Sequence, residues 1–334
     1  MADRAHRWTD LEVLKMKRHI NSIYAKAHKD VSSVLSGYAD TIQNRSNELF
    51  AAVESAETQE ERCSAKAAYK RFYLQAINSS EFKTVSHRVS DRLYYANAQA
   101  SKYINTHLSK IYVENYNYVG RDIAKKAVGY TLHPASIEDV EDVGNITMQD
   151  IDRKKDTRWN EQNLKRSIFA GAIMLYGASK IFSSVADSVV KKNKDSAYMH
   201  ASDMATDAEN KGRIDSMSRA EDEGYAMKKI WLAAHDNKTR DTHQEYDSME
   251  PMPLDYEYNS GLKRPRDPNC SIMEEICNCR CCLGWDVGQK KGKTRAAREG
   301  EIVGSYKNPS SFAGTHTIFT PNMTYREWME WRSR

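Results

Sequence analysis

The sequence has little proline and no long apolar run, and both shortages limit the possible folds. Its 334 residues include seven prolines, none of them before Pro134. Since proline breaks helices, the first 132 residues can form long uninterrupted ones. The longest uncharged, largely apolar stretch, Ser167–Ser179, is well short of the roughly 20 residues that cross a membrane. It predicts a buried helix or, alternatively, a helix whose small residues pack closely on a large partner.

The charge balance and the missing glycine-rich motifs exclude further classes of protein. The net charge is only +4, which argues against a histone-like coat and leaves room only for local contact with nucleic acid. The first residues run into charged sequence without the apolar core of a signal peptide, so we expect none. The sequence has no Gly-x-Gly-x-x-Gly motif and no Walker-type phosphate loop. Its composition is that of a globular protein large enough for two domains.

The first part of the chain carries two capping-box signatures, Thr9-x-x-Glu12 and Thr58-x-x-Glu61. In a capping box each side chain bonds the free backbone N–H of the other residue, so each signature predicts the start of a helix. Apolar residues step by four and three through the first helix, which is typical of a coiled coil or slim bundle and of contact with another chain. The predicted long helices cover residues 9–55, 58–77 and 81–119.

A second helical region follows a break at Pro134. A helix is predicted to resume near Asn160 and to run through the apolar stretch to about Val190, where lysines favour its C-terminal end. Another, more polar helix is predicted from Ser196 to about Glu223. The middle of the chain is therefore expected to be helical throughout.

The composition changes near Met227, where a small α+β domain is predicted. The predicted elements are a strand at 230–232, a helix at 239–247, a proline-rich loop at 249–270 and a second strand at 279–287. On the helix, Arg240, His243 and Asp247 are spaced to share one face. They are expected to form either a salt-bridged surface edge or a polar constellation that fixes the following loop or binds a metal.

The predicted fold class is therefore mainly α with a small α+β C-terminal domain, preceded by a long N-terminal helical bundle or coiled-coil-like region. The predicted domains are a long-helix region (1–132), a helical region with the buried apolar helix (133–223), the α+β domain (224–287), and a basic linker with a possible strand at 315–319 and a capped C-terminal helix (288–334).

Five of the six cysteines lie between Cys270 and Cys282. One local knot of cysteines in a large chain indicates a reducing compartment and a local role. In a strand, alternate cysteines would point to one face and Cys282 to the other. Thiolates and imidazole suit tetrahedral zinc, the one cofactor suggested; buried structural thiols, a disulfide or a reactive cysteine are the alternatives. The candidate ligands are His243, Cys279, Cys281 and either Cys270 or Cys277.

Two further chemistries are weighed from the residues. Cys279 and His243 could pair as in a Cys–His hydrolase, but no glycine-rich turn presents a nucleophile, so we expect no catalysis. A basic segment is either a solvated linker or a sequence-independent contact with DNA phosphates. Its cations are Lys290, Lys291, Lys293, Arg295 and Arg298.

Three short patterns follow one another within residues 224–285: Asp-x-x-Thr-Arg-x-x-His, Pro-x-Asp-Pro and Asn-Cys-Arg-Cys. Together they resemble the Mu F-like head morphogenesis family, the minor capsid proteins of tailed double-stranded DNA phages. The matching residues are Asp236, Thr239, Arg240, His243, Pro265, Asp267, Pro268, Asn278, Cys279, Arg280 and Cys281. The chain departs from the family at Asp247-Ser248 and at Arg266, where a glycine is usual, and both departures fall on turns.

The resemblance implies a non-enzymatic virion protein, made in the host cytoplasm and placed in the head interior near the portal vertex. Implied partners are the portal protein, other head or scaffolding proteins and packaged double-stranded DNA, with no small-molecule substrate. The implied role is assistance in procapsid assembly and in DNA delivery. Two alternatives stay open: a zinc-stabilised DNA-binding protein, and a Cys/His enzyme or toxin carried in the virion.

Overall fold

The computed structural model describes residues 4–127, 129–141 and 153–287. This part of the chain is mostly helical, with a few strands near its C-terminal end, which confirms the predicted fold class. The helices are α1 Arg4–Glu54, α2 Gln59–Ala76, α3 Ser80–Lys126, α4 Ile137–Glu141, α5 Arg153–Ile173, α6 Ala178–Asp222, α7 Asp241–Ser248 and α8 Met273–Ile276. The strands are β1 Lys228–Leu232, β2 Met252–Pro253 and β3 Cys282–Asp286.

One of the two predicted capping boxes is present and the other is not. Thr58 caps α2 with both reciprocal bonds to Glu61. Thr9, in contrast, lies inside α1, and its hydroxyl donates to the carbonyl of Ala5 at 3.1 Å. The helix begins earlier because its first turn is held by a tertiary contact, His6 Nδ1 lying 2.8 Å from Oε1 of Glu209.

The apolar stretch Ser167–Ser179 is not one buried helix, so that prediction is wrong. The chain turns between α5 and α6, Leu175 taking a left-handed conformation with φ 56°. Met174 at this turn is 62 % exposed. From Ala178 to Asp222 α6 continues without a break, because no proline interrupts it. The lysines near 191–194 therefore lie within a helix rather than at its end.

The described residues form two compact units. One unit comprises residues 4–16, 104–141 and 199–287, and the other comprises residues 17–103 and 153–198. Three long helices, α1, α3 and α6, contribute residues to both units.

The second unit is a helical bundle with aromatic residues in its core. The ring of Tyr38 packs against Phe82 and Phe182, with centroids 5.6 and 5.5 Å apart. A short polar chain crosses this core, since Asn193 donates to Asn160 at 2.9 Å and Asn97 donates to Asn193 at 3.2 Å. These amides are paired inside the bundle, as buried polar groups must be.

The first unit carries the sheet, whose strand order is β2-β1-β3 with both pairs antiparallel. Helix α6 lies against β3: Asn210 accepts from the Leu283 N–H at 2.7 Å, and Arg213 donates to the Leu283 carbonyl at 2.8 Å. The Arg213 guanidinium is fully buried, and Glu209, one turn earlier in α6, pairs with it at 2.7 Å. This buried ion pair and its backbone bonds fix the sheet on the helix.

Candidate metal centre

His243, Cys279 and Cys281 form a buried cluster in the C-terminal part of the first unit. Helix α7 follows β1 and carries His243, whose ring packs edge-on against Trp231 with centroids 4.9 Å apart. The Nδ1 atom of His243 lies 3.8 Å from Sγ of Cys279 and 3.4 Å from Sγ of Cys281. All three side chains are buried. The loop between α8 and β3 and the helix α7 therefore place three metal-ligating atoms at one point.

The separations fit a tetrahedral metal site. Zinc bonds histidine nitrogen at about 2.0–2.1 Å and thiolate sulfur at about 2.3 Å, so a tetrahedral angle places N and S about 3.6 Å apart. The two observed N···S separations of 3.8 and 3.4 Å bracket this distance, and all three ligand atoms lie within 4.8 Å of one another. The cluster could hold a metal ion with little rearrangement.

Cys277, Cys279 and Cys281 do not lie in a strand, so the alternation argument is wrong, although Cys279 and Cys281 do point to one site. Strand β3 begins only at Cys282. Before it, the chain turns at Asn278, which has φ 54°, and the Cys279 N–H donates to the Ile276 carbonyl at 3.4 Å. This turn directs Cys279 and Cys281 to His243. Cys282 packs with Ile230 and Leu232 in a separate apolar cluster.

Neither of the two candidates for a fourth ligand belongs to the cluster of three. Cys270 is buried in the same apolar core as Cys279 and Cys281, but its thiol donates to the Ile272 carbonyl at 3.5 Å. Cys277 is half-buried and caps the end of α8. Of the two, Cys270 is in the same core as the site.

The remaining residues of the Asp-x-x-Thr-Arg segment build the turn between β1 and α7. Asp236 pairs with Arg280 and accepts the Lys238 N–H at 2.9 Å. Thr239 donates to the Ala234 carbonyl at 2.6 Å. These bonds pair the polar groups of the turn with one another and with nearby backbone, and they fix the start of α7, which carries His243.

Arg240, His243 and Asp247 do not form a salt-bridged surface edge. Arg240 precedes the first turn of α7 and donates to the Cys277 carbonyl. Asp247 accepts the Ala233 N–H at 3.0 Å and is buried. The three side chains thus contact three different parts of the domain: Arg240 bonds the cysteine loop, His243 belongs to the cluster, and Asp247 bonds the backbone that follows β1.

The proline loop is closed by Asp267, while Pro268 is exposed. The two carboxylate oxygens of Asp267 accept the Lys263 N–H at 3.1 Å and the Asn269 N–H at 3.0 Å. Arg266, at which the family that the motifs resemble usually has glycine, has φ 62°. The left-handed conformation that suits glycine is thus adopted here by arginine.

Three residues outside the sequence-predicted set support the site. Asp203 of α6 accepts the Asn278 N–H at 2.9 Å and lies 3.6 Å from Arg266; burial raises the pKa of Asp203, and Arg266 opposes that shift. Lys229 donates to three backbone carbonyls of the loop, and burial lowers its pKa to about 8. Glu275 lies 3.0 Å from Nε2 of His243. Their contacts are distant in sequence, and no local pattern marks them.

The electrostatics of the cluster favour a protonated Cys281 thiol when no cation is bound. Burial raises the pKa of Cys281 well above its usual value, Cys279 raises it further, and His243 opposes the shift. A divalent cation reverses this preference, because it binds the thiolate. A second group, His6, Glu209 and Cys282, is also close enough to ligate, but Arg213 already supplies a positive charge to Glu209 at 2.7 Å.

The five cations of the basic segment, Lys290, Lys291, Lys293, Arg295 and Arg298, lie outside the described residues. The same holds for the predicted strand at 315–319 and the helix predicted from Thr324. Within the described ranges, no helix combines the length and the hydropathy that a membrane span requires. Compared with known proteins, the chain matches no family model, no curated protein and no solved structure.

Proposed function

We propose that this protein is a minor head protein of a tailed double-stranded DNA phage, and that it acts by binding rather than by catalysis. The observation that carries the proposal is that the residues of the Mu F-like motifs hold their own domain together. Asp236, Arg240 and Asp267 bond to backbone or to a partner within their own domain, which is how structural rather than reacting groups are used. The long helices that precede this domain agree with the family's layout and provide surface for the portal.

In this proposal zinc stabilises the C-terminal domain through His243, Cys279 and Cys281. The matching N···S separations and the complete burial of the ligands support a closed structural site rather than a catalytic one with an open position. Cys270 completes a Cys3His set by turning its thiol away from the Ile272 carbonyl, because it alone of the two candidates lies in the core of the site.

Burial also argues against the Cys/His enzyme. Cys279 is 3 % exposed and His243 is 1 % exposed, so a substrate would have to open the core to reach them. A nucleophilic cysteine also needs an environment that lowers its pKa, whereas burial raises that of the adjacent Cys281. Packing and metal binding use these residues without such an opening.

Metal analysis of protein purified without chelator tests the zinc part. We expect about one zinc per chain, and loss of zinc in Cys279→Ser and Cys281→Ser. Cys63→Ser is the matched control, because Cys63 is exposed in α2 and remote in sequence from the site. Comparing Cys270→Ser with Cys277→Ser identifies the fourth ligand. Less than about a tenth of an equivalent of zinc in the wild type contradicts the metal proposal.

Quantitative mass spectrometry of purified procapsids and filled virions tests the head-protein role. We expect a few copies for each portal ring in both particles, with loss after DNA ejection if the protein leaves with the genome. Absence from both particles contradicts the proposal and favours a cellular DNA-binding role. A tenfold reduction of copies in a portal-less procapsid would identify the portal as the docking partner.

A further inference from the structure

The second nitrogen of His243 faces a carboxylate on the opposite side of the ring from the cysteines. Nε2 lies 3.0 Å from Oε2 of Glu275, at the start of α8. Thr242, next to His243 in α7, donates its hydroxyl to both oxygens of Glu275, at 3.1 and 3.0 Å. The His243 side chain is 1 % exposed and that of Glu275 is 13 % exposed. The imidazole is therefore held between two thiols and one anchored carboxylate.

We infer that Glu275, anchored by Thr242, is a positioning residue that makes His243 bind the metal through Nδ1. This inference rests on the zinc site proposed above and assigns its histidine atom. A carboxylate at Nε2 keeps the proton on that nitrogen, so Nδ1 presents its lone pair to the cysteine side. The same carboxylate makes the imidazole a stronger electron donor and limits its rotation.

The ring needs only a small adjustment to complete this arrangement. Nε2 and Oε2 are at ion-pair distance, yet Nε2 makes no well-aligned hydrogen bond among the described residues. A small rotation that brings Nδ1 to a metal between the two sulfurs can align Nε2–H with Glu275 as well. Metal binding and the carboxylate contact therefore favour the same ring orientation.

A surface ion pair would not account for the arrangement. Exposed pairs contribute little and need no anchoring of their partners, whereas both oxygens of Glu275 share the Thr242 hydroxyl proton and Glu275 faces a buried ring. Its neighbour Glu274 has the same charge and is exposed. Glu274 is thus a matched control that differs in contact but not in chemistry.

Zinc affinity, measured on the full chain by competition with a chromogenic chelator, tests the role of Glu275. We expect Glu275→Gln to weaken zinc binding about 10–100-fold, with a smaller loss in Thr242→Val and no change in Glu274→Gln. Glu275→Asp should recover part of the affinity if its carboxylate reaches Nε2. An unchanged affinity in Glu275→Gln overturns the inference while the zinc site stands.

Nitrogen NMR of the wild-type protein labelled with ¹⁵N-histidine tests the atom assignment without any variant. We expect Nδ1 of His243 to change its shift on zinc loading while Nε2 keeps its proton. With ¹¹³Cd in place of zinc, coupling should appear at Nδ1. Coupling at Nε2 overturns the inference, and a wild-type chain that binds neither metal contradicts the proposed zinc site itself.

Discussion

Replacement of Gly212 by alanine tests the close approach of α3 and α6 that supports the candidate site. A Cβ atom at Gly212 would lie 2.4 Å from the Tyr112 carbonyl oxygen and 3.2 Å from the Tyr116 nitrogen. Both obstacles are backbone atoms of α3, which cannot turn away as a side chain can. The substitution must therefore push the two helices apart or bend one of them.

The magnitude follows from the overlap. Real Cβ atoms essentially never approach closer than 3.0 Å, so at least 0.6 Å must be gained at Tyr112 (3.0 minus 2.4). A gap of about 0.5–1 Å forfeits a quarter to a half of each dispersion contact along the helix pair. Overpacking typically costs about 1–3 kcal/mol, and the better helix propensity of alanine returns about 1 kcal/mol. Because the obstacle is rigid, we expect net destabilisation of about 2 kcal/mol.

Thermal and urea denaturation measure this effect, with Gly37→Ala as the matched control. Gly37 also lies inside a long helix, but a Cβ there meets no atom within 4 Å, so alanine should stabilise by about 0.5–1 kcal/mol. For Gly212→Ala we expect the melting temperature to fall by about 4–8 °C. Helix propensity alone predicts stabilisation by both substitutions. A Gly212→Ala protein as stable as the wild type would therefore refute the close approach.

Hydrogen exchange locates the damage and separates the two units, which need not unfold together. Asn210 and Arg213 flank Gly212 and bond both backbone groups of Leu283 in β3. A displaced α6 should weaken these bonds, so β3 amides should exchange faster in Gly212→Ala and not in Gly37→Ala. Unchanged protection of β3 would contradict the coupling of this helix contact to the sheet.

Three further predictions follow from single contacts. Burial lowers the pKa of Lys229 from 10.5 to about 8, so between these pH values the unfolded chain holds one proton more than the native one. The unfolding free energy should therefore rise with pH across this window, by up to about 1.4 kcal/mol per pH unit. Urea denaturation at a series of pH values should show this slope in the wild type and its loss in Lys229→Met. Asn278 has φ 54°, so Asn278→Ala should lower the unfolding free energy by about 1 kcal/mol while Asn278→Gly stays near the wild type. Thr58→Ala removes the reciprocal cap of α2 and should cost about 1 kcal/mol, measurable as faster amide exchange in its first turn.

Local signals in the sequence predicted those elements whose causes are local. The capping box at Thr58 is complete within four residues and is present. The similar pattern at Thr9 is not used, because burial of His6 against Glu209 extends the helix upstream of it. The turn between α5 and α6 has no proline to announce it, and only the left-handed Leu175 shows where the chain reverses. A tertiary contact decided the Thr9 case, and a single sequence does not show such contacts directly.

The candidate site shows the same division between local and distant causes. The residue types of the cluster, one histidine and two cysteines, could be chosen from composition and spacing, because metal chemistry limits the ligands to a few side chains. Their supports could not be chosen in this way. Glu275 of α8 reaches His243 of α7 across 32 positions of sequence, and Asp203 reaches the cysteine loop from a helix 75 positions away.

Asp203 also explains how the domain tolerates two left-handed residues that are not glycine. Arg266 and Asn278 have φ 62° and 54°, a conformation that costs an L-residue roughly 1–2 kcal/mol. One buried carboxylate compensates both, because Asp203 accepts the Asn278 N–H at 2.9 Å and lies 3.6 Å from the Arg266 guanidinium. Glycine at position 266 would remove the backbone strain and also this charge, leaving Asp203 buried with less compensation. Arg266 and Asp203 are thus coupled, and the two positions should be varied together.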